Sequence, residues 1–282
     1  MTIQDTIGTG EYDRLPDSPL IYEILPQEDV DQLYRMYPGL AKSHHFGCPS
    51  CGKNLGPVVD GIVNLDGIWW QCNCRDQLQR HKHYLNAGIG DVYQFLSWND
   101  FHGDQAAKDA ALAYDKDIDD YVSSGVGLFI WGESNGTGKT FIANQIVKDC
   151  VMQGYACYST TFADMLSNMK AGWKDEEFAG WYKKKVDAAQ VLLIDDVGKE
   201  IMQTSGFNNS FAQQTLDSLL RTRAQQNRVT FITTNLAAGD FKSLYGVAAT
   251  SILSETTKII HVTGNDYRPS AKTNKVGERR IW

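Results

Sequence analysis

The sequence predicts an α/β protein built around a five-stranded parallel sheet. From about residue 126 onward, five apolar runs alternate with helix-like segments, and strands that alternate with helices form parallel sheets covered on both faces. A glycine-rich loop follows the first run, at the edge where ligands of such sheets bind. The runs are GLFIW at 127–131, ACYST at 156–160, VLLID at 191–195, VTFIT at 229–233 and KIIHV at 258–262.

Composition is typical of a globular protein of about two domains. The chain has 282 residues, 42% hydrophobic and 22% charged. The N-terminus has no basic start and no apolar run approaches the ~18 residues that cross a membrane, so we expect a cytoplasmic protein with no membrane partner. Its six cysteines are then predicted to be metal ligands or core residues. The net charge, 27 − 34 = −7, does not indicate nucleic-acid binding, although a local basic patch could still provide it.

Three regions are predicted along the chain. Residues 1–85 form an N-terminal region, 86–125 a linker and helix, and 126–282 the α/β domain with a short basic tail. The connector contains an aromatic stretch, VYQFLSWNDF, and an amphipathic helix pattern at 104–122. Its Trp98 and Phe101 could wall a base-binding pocket, but core packing is favoured for at least one of them.

The N-terminal region contains four cysteines with the spacing of zinc ligands. They form one C-x-x-C and one C-x-C pair about twenty residues apart. Four thiolates would surround Zn²⁺ completely and make the site structural, because no position is left for chemistry. The apolar alternation and glycines between the pairs predict a β-hairpin. Four reduced core cysteines are the disfavoured alternative, and a histidine could replace one ligand. The cysteines are Cys48, Cys51, Cys72 and Cys74, and the histidines are His44, His45, His81 and His83.

The loop Gly132–Thr140, GESNGTGKT, predicts a phosphate-binding site. A strand leads into it, its glycines expose backbone N–H groups, and the helix that follows adds the positive end of its dipole. Lys139 could reach the β- and γ-phosphates of ATP, and the Thr140 hydroxyl could hold Mg²⁺. Gly132 lies one residue too early for the G-x-x-x-x-G-K-T pattern, which we interpret as a looser strand exit. The predicted contacts of ATP or ADP are Asn135, Gly136, Thr137, Gly138, Lys139, Thr140 and Phe141.

Two further strand ends carry polar residues that suit nucleotide chemistry. VLLID ends in Asp195, followed by Asp196, so Asp195 could hold Mg²⁺ while Asp196 orients or deprotonates the attacking water. The run VTFITTN ends in Asn235, a candidate sensor of the γ-phosphate, although a strand-ending asparagine alone would be assigned to a turn. The predicted catalytic set is therefore Lys139, Asp196 and Asn235.

These motifs resemble the AAA+ ATPases of the DnaC/DnaI helicase-loader and IstB transposition-accessory group. The resemblance covers about residues 44–268. It rests on GTGKT, LLIDDVGKE, FITTN and HVTGNDYR, and the cysteine-rich region followed by YQFLSWNDF is similar to loader members, particularly phage-encoded ones. It implies an AAA+ P-loop NTPase core. Because only 14 residues follow Arg268, we expect no C-terminal helical lid of the kind that many AAA+ proteins have.

The resemblance also implies partners. It implies self-association through the AAA+ domain on single-stranded DNA, in the bacterial cytosol, and delivery of a hexameric replicative DNA helicase that the N-terminal domain grips. Two alternatives remain: an IstB-like accessory ATPase that acts on duplex DNA, and a nucleotide-gated scaffold that hydrolyses little ATP.

Two departures from the family bear on hydrolysis. Loaders usually carry a Ser-Arg-Leu triplet whose arginine reaches a neighbouring subunit's ATP, whereas this chain has Ile252 in the middle position. The candidate substitutes are Arg221, Arg223 and Arg268. The second acid is Asp196 rather than glutamate, and its shorter reach predicts slow hydrolysis.

Two segments are candidate DNA contacts. Residues 161–190 carry aromatic residues beside lysines, the combination from which sequence-tolerant single-strand grooves are built, but an amphipathic helix with buried aromatics fits equally. The basic tail could contact DNA or helicase, although a solvated tail is the simpler interpretation. The residues in the first segment are Trp173, Trp181, Tyr182, Lys170, Lys174, Lys183, Lys184 and Lys185.

Overall fold

The structure, a computed structural model, describes residues 62–65, 68–71, 83–172, 174–199 and 209–267. The chain divides into two compact units, residues 1–85 and 86–282. Cys48, Cys51, Cys72 and Cys74 lie outside the described residues, so the zinc site stays a prediction.

The first unit contains the predicted β-hairpin. Strand β1 (Ile62–Leu65) pairs antiparallel with β2 (Ile68–Gln71), with Ile62 opposite Gln71 and Leu65 opposite Ile68. Both strands are rich in β-branched and aromatic residues, which favour extended backbone. The hairpin predicted between the two cysteine pairs is therefore confirmed.

The second unit is built on the predicted parallel sheet. Its five strands lie in the order β4-β5-β6-β3-β7, and every neighbouring pair is parallel. The α/β fold is therefore confirmed, with the carboxyl ends of all five strands at one edge. The strands are β3 (Gly127–Trp131), β4 (Cys157–Thr161), β5 (Val191–Val197), β6 (Val229–Thr234) and β7 (Thr257–His261).

Helices of this unit precede the sheet and connect its strands. They are α1 (Asp91–Phe95), α2 (Gln105–Lys116), α3 (Ile118–Ser123), α4 (Lys139–Met152), α5 (Phe162–Gly172), α6 (Glu176–Ala188), α7 (Asn209–Gln225) and α8 (Ala238–Thr256). The helix predicted at 104–122 is two helices, because the backbone leaves helical geometry at Asp117 (φ −111°, ψ 29°). Aspartates compete for the backbone within helices but favour their first turns, and Asp119 and Asp120 begin the second helix.

The core lies on both faces of the sheet. Alternate residues of a strand point to opposite faces. Phe129 and Ile232 therefore join one cluster with buried side chains of α5, α7 and α8, whereas Phe231 on the other face meets the ring of Tyr114 from α2 at 5.8 Å between centroids. This packing fixes the strand ends, and so the residues that follow them, in a rigid frame.

The connector is part of the second unit. The Ser159 N–H on edge strand β4 donates to the Ala87 carbonyl at 2.7 Å. Gly88 (φ +71°) lies so close that a Cβ there would be 2.4 Å from the Ser159 oxygen. Residues 87–88 therefore protect the exposed edge of β4, which would otherwise present unpaired backbone groups. Among the described residues, no helix is long and apolar enough to cross a membrane.

Candidate nucleotide-binding site

The glycine-rich loop leaves the carboxyl end of β3 at Gly132. The Gly132 N–H donates to the Thr234 carbonyl at 3.3 Å, and a Cβ on Gly132 would lie 2.1 Å from the Val262 carbonyl oxygen. Glycine is therefore needed here for close packing between neighbouring strand ends. The strand exit is held on both sides, so the looser exit predicted from the early glycine is wrong.

Two later glycines shape the loop. Gly136 (φ +70°) and Gly138 (φ +103°) have left-handed backbone, which glycine adopts without a steric penalty. Helix α4 starts immediately afterwards, and its Ile142 N–H donates to the Gly138 carbonyl at 2.9 Å. The N–H groups before Ile142 have no partner one turn back in the helix, because they are its first donors. A turn of this kind at a helix N-terminus suits an anion such as phosphate.

Lys139 is enclosed by the loop. Only 5% of its surface is exposed, and its Nζ donates to the carbonyls of Gly132 at 2.8 Å and Ser134 at 2.7 Å and to the Thr137 hydroxyl at 3.3 Å. The loop itself therefore positions a positive charge beside the backbone N–H groups. A lysine ammonium there acts as a point charge toward phosphate oxygens.

Thr140 connects the loop to strand β5. Its hydroxyl donates to Oδ1 of Asp195 at 3.0 Å, and the Thr233 hydroxyl from β6 donates to the same oxygen. Burial, with a smaller contribution from neighbouring Asp196, raises the pKa of Asp195, while the two hydroxyl bonds lower it. A buried carboxylate beside a like charge is a favourable ligand for a cation. The sequence predicted Thr140 and Asp195 but missed Thr233, which only the pairing of β5 with β6 reveals.

Asp196 lies in an unusual backbone conformation. Its φ is +59°, and the register between β5 and β6 is shifted between Ile194 and Val197. The Asp196 N–H donates to the Thr233 hydroxyl at 2.9 Å, and Lys199 Nζ donates to its Oδ2 at 2.7 Å. Left-handed backbone is costly for a residue with a side chain and is concentrated at functional sites. Sequence reasoning missed Lys199 as the partner of Asp196.

Asn235 reaches the loop. Its Nδ2 donates to Oδ1 of Asn135 at 2.9 Å, across 100 residues of sequence. The structure therefore brings Lys139, Thr140 and Asp195 together with Asn235 at the carboxyl edge of the sheet. Asp196 joins this group through Thr233.

Aromatic residues of the connector pack on the loop. The Phe101 ring would be 2.6 Å from a Cβ on Gly138, and its centroid is 5.2 Å from that of Phe141. Trp98 also meets Phe141, at 6.4 Å. Phe101 is buried, which confirms core packing for one of the two predicted residues. Because the Phe141 ring faces this cluster, its predicted nucleotide contact would use the backbone.

The chain returns to the loop after β7. We call residues 262–267 the strap. The Val262 N–H donates to the Trp131 carbonyl at 2.8 Å, and the Tyr267 N–H donates to the Gly136 carbonyl at 3.1 Å. Between them, the N–H and hydroxyl of Thr263 donate to Oδ2 of Asp104 at 2.9 and 2.6 Å. These bonds, chiefly that of the hydroxyl, lower the pKa of Asp104. Sequence reasoning used the strap only for family resemblance and missed its contacts.

The candidate trans arginines do not lie at the loop. Arg221 is exposed near Asp217, and Arg223 is buried, so its guanidinium is not available to a neighbouring subunit. The described part of the chain contains these two arginines and Arg228. All three lie between the last turns of α7 and the amino end of β6, at the edge of the sheet opposite the phosphate loop. Arg268 lies outside the described residues. Ile252 lies on α8, after a kink at Gly246, and its partly buried side chain packs against the hydrophobic core.

The predicted aromatic and lysine segment forms α5 and α6. Tyr182 is buried, with its ring 6.2 Å from that of Phe178, so it is not available to stack on a base. Lys185 lies 5.1 Å from the centre of the Tyr158 ring, and burial lowers its pKa. These two residues fit the amphipathic-helix alternative. The side chains of Trp173 and Trp181 lie outside the described residues.

Metal-binding clusters of the usual kind are absent from the described ranges. Within residues 83–172, 174–199 and 209–267 and the short hairpin strands, no group of three or more His, Cys, Asp or Glu side chains could hold a metal ion. An ion at Thr140 and Asp195 would therefore need ligands from a bound phosphate or from water.

Comparisons with known proteins place this geometry in a family. The family model described as IstB-like ATP binding protein matches residues 75–275. A replicative helicase loader DnaC of Buchnera aphidicola (subsp. Acyrthosiphon pisum) is 25% identical over 162 residues, which cover 57% of this chain and 63% of that protein. The uncharacterized protein YdaV of Escherichia coli K12 is 24% identical over 170 residues, covering 60% and 66%. The match thus spans less than two thirds of these relatives.

Solved structures share the fold. A crystal structure of the DnaC helicase loader superposes with a TM-score of 0.51 at 21% identity, covering 62% of this chain and 100% of that one. A crystal structure of a DNA replication initiation factor gives 0.50 at 17% identity, covering 64% and 53%. The AAA+ P-loop fold and the resemblance to the DnaC/IstB group are confirmed. Since the family model matches well over half of its length, the chain belongs to the IstB-like ATP binding protein family.

Proposed function

We propose that this protein is an ATP-dependent loader that binds a replicative DNA helicase and delivers it onto single-stranded DNA. Nucleotide would serve as the switch between assembly and release. The observation that carries the proposal is a set of direct contacts around one loop. Lys139 binds the loop backbone, Thr140 binds Asp195, and Asn235 binds Asn135 of the loop. Relatives named replicative helicase loader DnaC support the choice of cargo.

The site fits ATP and Mg²⁺. Gly136 and Gly138 give the loop its left-handed backbone, Lys139 supplies a buried positive charge, and Asp195 is a buried carboxylate that a cation would stabilise. The phosphates would be held by the Lys139 ammonium and by the N–H groups of residues 135–141. Thr140 and Asp195 would hold Mg²⁺, which supplies neutralisation of phosphate charge when bound.

Slow hydrolysis is part of the proposal. Asp196 would orient the attacking water, but Lys199 already binds one of its carboxylate oxygens. Within the described residues, the arginines lie at the far edge of the sheet, so none of these assists the phosphates within the same chain. Binding, rather than turnover, would therefore be the working step.

The second candidate is an IstB-like accessory ATPase that acts on duplex DNA. The match to the family model described as IstB-like ATP binding protein favours it. The two candidates differ in the DNA they prefer and in their protein partner. Fluorescence anisotropy with matched single-stranded and duplex oligonucleotides, with and without ATP, separates them: a clear preference for duplex DNA favours the accessory ATPase.

The helicase of the same organism provides the direct test. We expect it to co-elute with the full chain in size-exclusion chromatography, with a complex that differs between ATP and ADP. Lys139→Ala should bind helicase but lose the response to nucleotide, because the loop would lack its buried charge. Lys242→Ala, an exposed lysine on α8, is the matched control and should behave like the wild type. No helicase complex in any nucleotide state would rule the loader function out.

A further inference from the structure

A carboxylate of the strap lies directly on the phosphate loop. A Cβ built on Gly136 would be 1.8 Å from Oδ1 of Asp266 and 2.3 Å from its Cγ. The carboxyl group therefore contacts the Gly136 backbone, and any side chain at residue 136 would collide with it. The left-handed backbone (φ +70°) accounts for glycine at this position.

The chain on both sides of Asp266 is held beside the loop. The Tyr267 N–H donates to the Gly136 carbonyl immediately after it. Before it, Thr263 is fixed by two bonds to Asp104, whose other oxygen accepts from the first N–H groups of α2. Bonds at both ends thus fix the backbone of this six-residue segment beside the loop.

At the proposed nucleotide site, the Asp266 carboxylate would repel bound phosphates. Phosphates and carboxylates are both anions. The loop that would bind the phosphates of the nucleotide has the Asp266 carboxylate against its Gly136. Two unit charges about 4 Å apart repel by ~1 kcal/mol even in water and by more near a protein surface. Phosphate can bind only against this repulsion or by displacing the Asp266 side chain.

We propose that Asp266 sets the nucleotide affinity of this site, by opposing the phosphates at Gly136. The inference rests on the proposed nucleotide site. It makes Asp266 an affinity-determining residue that moves away from Gly136 when phosphate binds. Weakened binding would let the loader exchange nucleotide readily, as a switch requires.

Isothermal titration calorimetry of the full chain tests the proposal. Asp266→Asn keeps the shape of the side chain and removes its charge, so ATP and ADP should bind about fivefold more tightly at low salt. Adenosine, which has no phosphate, should show no gain. The advantage should shrink in ~1 M salt, where the Debye length is about 3 Å. Asp266→Ser should give the same pattern if charge, rather than the amide, is responsible.

The control is Glu255→Gln, which removes the same charge from an exposed position at the end of α8. It should leave the affinity unchanged, which excludes an effect of net charge. If the wild type binds ATP and Asp266→Asn binds it no more tightly, or if adenosine gains equally, the inference is wrong and the nucleotide site stands. If neither protein binds any nucleotide, the proposed function fails as well.

Discussion

The two edges of the sheet each bury a cation, and the two cations are held in opposite ways. At the carboxyl edge, Lys139 donates to acceptors of its own loop, on Gly132, Ser134 and Thr137. At the amino edge, Arg223 donates to acceptors at the end of α6, on the two residues between α6 and β5, and at the start of β6. They are the carbonyls of Val186, Ala189, Gln190 and Val229 and the hydroxyl of Thr230.

The difference separates a replaceable contact from a structural one. Lys139 has a flexible stem and local acceptors, so a phosphate could take its ammonium while the fold stays intact. The planar guanidinium of Arg223 instead satisfies backbone groups of α6, of β6 and of the connection between α6 and β5. It stays charged at neutral pH because burial lowers its pKa only to about 10. The carboxyl edge is therefore suited to exchange ligands, and the amino edge to hold the frame.

The largest expected effect comes from Arg223→Ala. It would leave several buried carbonyls without a donor, and we expect the free energy of unfolding to fall by about 3 kcal/mol or more. Urea denaturation followed by circular dichroism measures this. Arg221→Ala, exposed two residues earlier, should change it by less than about 0.5 kcal/mol. Lys139→Ala should lower the free energy of unfolding by less than about 1 kcal/mol while it removes the response to nucleotide. Equal losses of stability in the Lys139 and Arg223 variants would contradict the difference between the two edges.

A buried acid away from the loop offers a smaller, pH-dependent test. Burial, with the nearby charge of Asp149, raises the pKa of Asp115 from 3.8 to about 6. Among the described residues, its buried Oδ1 has no hydrogen-bond partner. The folded state therefore favours the protonated form, and the stability it gives is full below pH 3.8 and lost as the pH rises through about 6.

Asp115→Asn should therefore be more stable than the wild type at pH 8. Because the group is partly exposed, we expect a gain of only about 1 kcal/mol. The gain should disappear near pH 4, where both proteins are neutral at this position. Urea denaturation at both pH values measures it, with Asp109→Asn on the exposed face of α2 as control. A gain that is independent of pH would mean that the charge is not its cause.

The contrast between the two edges also explains what the sequence predicts. Lys139, Thr140 and Asp195 follow from spacing, since a loop after one strand and an acid after another must share the carboxyl edge of a parallel sheet. Thr233 and Lys199 were missed because their roles depend on the strand next to β5 and on the local backbone of Asp196. Arg223 was predicted as a candidate trans arginine, and its burial was missed because contacts between distant elements leave no local signal.

The strap was beyond sequence reasoning for the same reason. The bonds between Thr263 and Asp104 join residues 159 positions apart. Their existence depends on β7 lying beside β3 and on α2 starting near the end of β7, which no local pattern encodes. The site is thus predictable where it is built from motifs and unpredictable where distant segments close over it.

The smallest expected effect on stability comes from the bond that ties the strap to Asp104. Thr263→Val removes the hydroxyl that donates to Asp104 and keeps the shape of the side chain. Because this bond is exposed, we expect a loss of only about 0.5 kcal/mol of stability at pH 7. The hydroxyl lowers the pKa of Asp104 below 3.8, so its contribution is full above pH 3.8 and lost as the pH falls through the folded-state value. An NMR titration should accordingly show the Asp104 pKa rising in the variant. Thr222→Val, at an exposed position on α7, should leave that pKa unchanged. An unaltered Asp104 pKa in Thr263→Val would show that the strap is held by its backbone alone, and the two edges of the sheet would then differ only in their buried cations.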